Sequence, residues 1–173
     1  KSAAMAVREA QGADCLVGMP AELLYMSCVA PALRPGSVLL AADIAPDCLA
    51  ERIRKNWQCD VFTHYGHTEF GYGCAVDCSY HEGMHLRHAD LIFEIIDPVT
   101  GKPASPGESG EVVITSLSNE AMPLIRYRTG HISRLTETPC GCGSVLPRLE
   151  RIGGRNNNLI NVSKDTAMDI FQI

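Results

Sequence analysis

The chain lacks a basic surplus, since fifteen Lys and Arg stand against twenty Asp and Glu for a net charge of −5. Nucleic acid and anionic membrane surfaces, which are held by clustered positive charge, are therefore not expected partners. Long apolar runs are also missing. The stretch Ser37 to Ala42 is among the longest, far short of the roughly 20 residues that cross a bilayer. No repeat or low-complexity segment is present, and Lys1-Ser2-Ala3-Ala4-Met5 is not the charged-then-apolar opening of a secretory signal. A start without an initiator methionine implies a segment upstream. The eight cysteines are too unevenly placed for a secreted disulfide framework. Cys15, Cys28, Cys48 and Cys59 stand in apolar or helical surroundings and are expected to act as small hydrophobes, in a cytoplasmic protein.

What is there suits a globular protein. The chain has 173 residues and is 46% hydrophobic and 20% charged, enough for one domain, or a domain and the start of a second, around a sizeable core. Helices are expected from Ser2 to Gln11, Pro20 to Ala30 and Asp47 to Trp57, the last with Leu49, Ile53 and Trp57 on its apolar face. Strands are expected from Gly12 to Gly18, Ser37 to Ala41 and Cys59 to Thr63. That alternation predicts a parallel sheet covered by helices.

After Gly71 the pattern changes. Leu91 to Ile96, Gly110 to Thr115 and Leu124 to Arg128 read as strands joined by turn-rich stretches, and another strand is expected near Val145. The fold class is thus α/β, a partial parallel sheet with helices followed by an antiparallel β-rich subdomain. The expected divisions are 1–70, 71–152 and 153–173, with Gly153-Gly154 opening the third as a hinge.

Cys78 and His85 lie seven positions apart, and Cys140-Gly141-Cys142 follows downstream, giving a Cys3His set. Four protein ligands of this kind close the tetrahedral shell of a structural zinc, which would staple the start of the β-rich segment to its end. The alternative is two turn thiols and a surface histidine, with Cys74, His81 and His88 as further ligand candidates. A disulfide within Cys140-Gly141-Cys142 is disfavoured by geometry. The second constellation is His64-Tyr65-Gly66-His67-Thr68-Glu69 at the end of a strand, where open α/β sheets bind ligands. A hydroxyl such as Thr68 can donate to a phosphate, and a carboxylate such as Glu69 can hold Mg²⁺. A capped helix start and core aromatics are the plain alternatives.

The motif is followed in order by Gly110 to Thr115, Met122 to Gly130 and Arg151-Ile152-Gly153-Gly154-Arg155. That series, from about Gly12 to Leu159, resembles the adenylate-forming superfamily and within it the phenylacetate-CoA ligase group. The resemblance implies a parent enzyme that activates a carboxylic acid with ATP and passes the acyl group to CoA, with phenylacetate as the best-known substrate class. It implies that Tyr65 and Gly66 line the adenine pocket, that Thr68 contacts the AMP phosphate, and that Glu69 binds Mg²⁺. Thr68 and Glu69 would be the catalytic residues. Arg155 would approach the ribose and phosphate, and Arg148 would make a surface or interface contact. Cys78, His85, Cys140 and Cys142 would be a shared zinc set.

Three positions depart from the pattern. Where the family has Thr-Gly-Asp, whose carboxylate accepts both ribose hydroxyls, this chain has Thr129-Gly130-His131, and an imidazole cannot make that paired acceptance. Asn157 replaces the hinge acid, and Ala41-Ala42-Asp43 replaces the glycine-rich turn beside the adenine. The family's phosphate-binding loop and its lysine-bearing carboxyl-terminal domain are expected outside these residues, so the chain by itself is expected to be inactive. A non-catalytic, zinc-stabilised binding module is the alternative. A homodimer is left open by the sequence.

Overall fold

The structure is a computed structural model that describes residues 3–136, 138–155, 159–163 and 166–169. The chain forms two compact units, residues 1–65 and 66–173.

The first unit contains three helices, α1 (Ala3–Glu9), α2 (Pro20–Val29) and α3 (Asp47–Trp57). Its strands β1 (Cys15–Gly18), β2 (Ser37–Leu40) and β3 (Asp60–His67) alternate with them, and the last two residues of β3 fall in the second unit. The strands pair in parallel in the order β1-β2-β3, with Leu16 beside Val38 and Val38 beside Val61. Pro20 opens α2, where its missing N–H leaves no hydrogen bond unmade. Gln58 closes α3 in the left-handed conformation, its N–H donating to the Arg54 carbonyl. Helices pack on the sheet through Leu23, Val38, Leu40, Ala50, Ile53, Trp57 and Val61, and the Trp57 indole satisfies its buried N–H on the Ala30 carbonyl at 3.0 Å.

One expectation for this unit is filled out and another is corrected. The buried face of α3 runs through Ala50, Ile53 and Trp57, with Leu49 at its edge, because spacings of three and four both return to one helix face. Cys15, Cys28 and Cys48 are exposed, and of the four expected small hydrophobes only Cys59 is buried. Helical or apolar neighbours in sequence do not fix which way a short side chain points.

The second unit is built on antiparallel pairing. β4 (Gly71–Val76), β5 (Met84–Leu86), β10 (Arg148–Leu149) and β9 (Leu135–Thr136) pair in that order. A separate meander joins β6 (Leu91–Ile96), β7 (Gly110–Ser116) and β8 (Tyr127–Ser133), and β11 (Leu159–Ser163) pairs with β12 (Thr166–Asp169). The core of the meander is Val112, Val113 and Ile114 of the central strand with Leu91 and Ile96.

Strand β8 starts later than the expected Leu124, because Arg126 is held at φ 50° and Ile125 faces solvent. The strand expected near Val145 is β10 instead, and Val145 itself is 96% exposed. Gly153 and Gly154 are bonded to β8: the Gly153 N–H reaches the Ile132 carbonyl at 2.8 Å, and the Ile132 N–H reaches the Gly154 carbonyl at 3.0 Å. Asn157, where the family's hinge acid would stand, lies outside the described residues.

Candidate nucleotide site and metal centre

His67 ends β3, and Thr68, Glu69 and Phe70 form the turn into β4, closed by the Phe70 N–H on the His67 carbonyl at 3.1 Å. Thr68 is exposed on this turn and Glu69 is half-buried. Opposite them, β8 supplies Tyr127 and His131. The path of β8 is fixed by Glu111 of β7, a carboxylate only 3% exposed that accepts from the Arg128 guanidinium and, at 3.0 Å, from the Gly130 N–H. Gly130 sits at φ 74°, open to glycine at little cost, and the β7–β8 register shifts at that point. The shift and the bridge between His131 and Arg155 bring Arg155 to the same cluster.

The side chains then form a directed chain. An Arg155 Nε–H can only donate, and it meets His131 Nε2 at 3.1 Å. The proton of a neutral His131 ring therefore stands on Nδ1, which faces His67 Nε2 at 2.9 Å. His67 Nε2 accepts it, which leaves the His67 proton on Nδ1, 3.6 Å from Glu69 Oε2. The Tyr127 hydroxyl donates to the other Glu69 oxygen at 3.0 Å.

The electrostatics agree with this direction. Burial, then His67 and Arg155, push the His131 ring down to about 4, so it is neutral at pH 7. Burial also lowers His67, against the pull of Glu69. The Glu69 carboxyl is held below its ordinary range by its own backbone N–H and by Tyr127, and the same hydrogen bond raises the Tyr127 phenol. Of the residues expected in a nucleotide site, Glu69, His131 and Arg155 converge. Tyr65 is buried at the end of the first unit. His67 and Tyr127 are members of the cluster that no sequence motif singled out for a role. They are 60 residues apart in the chain, and they reach the two oxygens of one carboxylate, Glu69.

The second cluster lies in the sheet β4-β5-β10-β9 and the loops around it. One ligand atom each from Cys78, His85, Cys140 and Cys142 falls within 4.8 Å of the others. The Cys78 and Cys140 sulfurs are 3.7 Å apart, and Cys142 Sγ is 3.3 Å from His85 Nε2. Tetrahedral zinc with Zn–S near 2.3 Å and Zn–N near 2.0 Å separates its ligands by about 3.5–3.8 Å; the donor set suits that ion and the Cys78–Cys140 separation matches it, with all four donor atoms inside 4.8 Å. The Cys142 backbone N–H is the main group that lowers the Cys140 thiol, to about 7, while burial raises Cys78. His81 is turned to Asp77, with Nδ1 at 2.7 Å from its carboxylate, and Cys74 donates toward the Gly71 carbonyl.

Arg148, expected at a surface or interface, is 3% exposed. It stands across the strand pair from His85, and each Nη of its guanidinium donates to a backbone carbonyl.

The fold matches part of solved CoA-ligase structures. A solved structure of 2-hydroxyisobutyryl-CoA ligase in complex with R3-HIB-AMP superposes with a TM-score of 0.85 at 18% identity, covering 97% of this chain and 38% of that one. An amide bond synthetase, McbA from Marinactinospora thermotolerans, gives 0.69 at 15% identity, over 99% of this chain and 38% of that one.

In sequence, the chain is similar to phenylacetate-coenzyme A ligases. It is 38% identical over 98 residues to the Thermus thermophilus enzyme, covering 56% of this chain and 22% of that protein. It is 34% identical over 124 residues to that of Pseudomonas putida, covering 70% of this chain and 28% of that protein. The chain thus spans about a quarter of the length of the curated relatives it matches. No family model matches it.

Proposed function

We propose that the chain is part of an ATP-dependent acid–CoA ligase that activates an aromatic carboxylic acid such as phenylacetate. The carboxylate attacks the α-phosphorus of ATP, pyrophosphate leaves, and the acyl-adenylate then yields its acyl group to the CoA thiol with release of AMP. The observation that carries the reading is the convergence of Glu69, Tyr127, His131 and Arg155 around the turn that follows Tyr65. Thr68, exposed on that turn, is suited to donate to the AMP phosphate. Glu69 is the Mg²⁺ ligand in this reading: its lowered pKa keeps it ionised at neutral pH, and Tyr127 orients it. A bound Mg²⁺ would supply charge neutralisation at the phosphates. Tyr65 and Gly66 would line the adenine pocket.

The Cys78, His85, Cys140 and Cys142 set is read as a structural zinc centre, closed to substrate by its four protein ligands. The subdomains 1–70, 71–152 and 153–173 and a cytoplasmic location belong to the same reading. No described helix is long and apolar enough to cross a membrane.

A second reading, a nucleotide-binding module that does not adenylate, is favoured by one observation. His131 and Arg155, where the resemblance puts the groups for ribose and phosphate, are bonded to each other. Calorimetric titration with ATP and AMP, on this chain and on the intact parent, separates the two. The ligase reading expects acyl-dependent pyrophosphate release by the parent. Tight AMP binding by the parent without that release would replace it with the second reading.

A further inference from the structure

One buried guanidinium touches both arms of the metal cluster. Cys78 and His85 are carried by the loop and strand around Glu82, while Cys140 and Cys142 follow Thr138. Arg148 Nη1 donates to the Glu82 carbonyl at 2.5 Å. Arg148 Nη2 donates to the Thr138 carbonyl and to its hydroxyl, both at 3.1 Å. The residue is fixed in turn by β10, where Arg148 pairs with His85 on one side and Thr136 on the other.

Burying a guanidinium is costly unless its donors are satisfied, and here the backbones of the two arms accept from both Nη atoms, while the buried Nε has no hydrogen-bond partner. The Glu82 carboxylate contributes little, being 57% exposed at 3.3 Å. A lysine could not replace this arrangement, because one ammonium on a flexible stem cannot present two nitrogens in a fixed fork.

We propose that Arg148 is a positioning residue for the Cys78, His85, Cys140 and Cys142 centre, holding the two arms at ligand spacing before the metal arrives. The inference rests on the zinc reading above. The arms come from segments more than 50 residues apart, and each would otherwise lose conformational freedom on binding the ion. Arg148 bears part of that ordering cost during folding, so the ion meets a set already gathered.

The test measures the zinc dissociation constant of this chain by competition with a chromophoric chelator, together with the thiolate-to-metal absorption of the Co²⁺-loaded form. Arg148→Lys keeps the charge and loses the fork. It is expected to bind zinc about ten- to a hundredfold more weakly, the range seen when groups behind metal ligands are changed, with altered Co²⁺ absorption. Leu149→Ala, a truncation in the core beside it, serves as the control. If Arg148 acted only through general stability, Leu149→Ala at an equal drop in melting temperature would weaken zinc as much, and that result overturns the proposal.

Thr138→Ala keeps the test open should Arg148→Lys fail to fold. It removes one acceptor from an exposed residue and is expected to weaken zinc about twofold to tenfold, whereas unchanged affinity counts against the strut. A wild-type chain that takes up no zinc overturns the metal reading and this inference with it. A wild-type chain that binds zinc while Arg148→Lys binds it equally well overturns this inference alone.

Discussion

Arg155 donates its Nε–H to His131 Nε2 at 3.1 Å, and this single bond sets the tautomer of two histidines. It also occupies an acceptor at the position where the resemblance puts a carboxylate for the ribose. Replacing His131 with Asp would exchange a neutral ring for two acceptor oxygens.

His131→Asp is expected to strengthen AMP binding about tenfold or more, since hydrogen bonds to a charged acceptor are worth about 1.5–3 kcal/mol. The gain should vanish for the 2′,3′-dideoxy analogue, while the unaltered chain should bind AMP and the analogue alike. Calorimetric titration of both proteins with both nucleotides checks this. Equal gains for the two ligands would remove the ribose from the explanation.

The depressed His131 pKa makes stability fall as the solution is acidified. The ring takes up a proton near 6.5 when unfolded but near 4 when folded. Between those values the unfolded chain binds more protons, so stability is full above 6.5 and is lost as pH falls toward 4. A shift of this size is worth at most about 3.4 kcal/mol. Urea melts from pH 7.5 to 4 should show a shallower decline for His131→Asn, which has no ring to protonate. Parallel curves would mean that other groups carry the acid sensitivity.

Ala42 lies at φ 69°, in the region that costs a residue with a Cβ about 1–2 kcal/mol. Glycine relieves that strain but gives back part of it as unfolded-chain entropy. Ala42→Gly is therefore expected to stabilise the chain by about 0.5–1 kcal/mol, a rise of about 1–4 °C in melting temperature. Differential scanning calorimetry reads it directly, and a lower melting temperature contradicts the strain argument.

Gly110 opens β7 against the backbone of β6. A methyl group there would collide with the Ile96 carbonyl oxygen and come within 2.9 Å of Ile95 Cγ2. A backbone atom paired in a sheet cannot swing aside as a surface side chain can. Gly110→Ala is expected to cost about 1–3 kcal/mol, measured by denaturant unfolding, with the loss in the midpoint rather than the slope.

Much of the scaffold was legible in the sequence because its signals are local. Asp47–Trp57 and Leu91–Ile96 form the elements their patterns predict, since helix and strand periods repeat within a few residues. The β4 and β5 strands were not legible. They are short, Gly-rich or broken by turns, and they are held by partners rather than by their own pattern. The site divides the same way. The Cys78, His85, Cys140 and Cys142 set was nameable because metal-binding residue types are few and their spacing is distinctive. The meeting of His67 with His131 had no local signal.

Thus the residue order by itself determined the element types, the succession of motifs from Tyr65 to Arg155, and the donor chemistry of the Cys and His cluster. The tertiary structure decided that Arg155 is bonded to His131, that Tyr127 orients Glu69, and that Arg148 is buried between two loops rather than exposed. Those relationships depend on strand register and on a bulge at Gly130, which join groups about 25 to 65 residues apart. Composition and periodicity report only what neighbours in the chain can do.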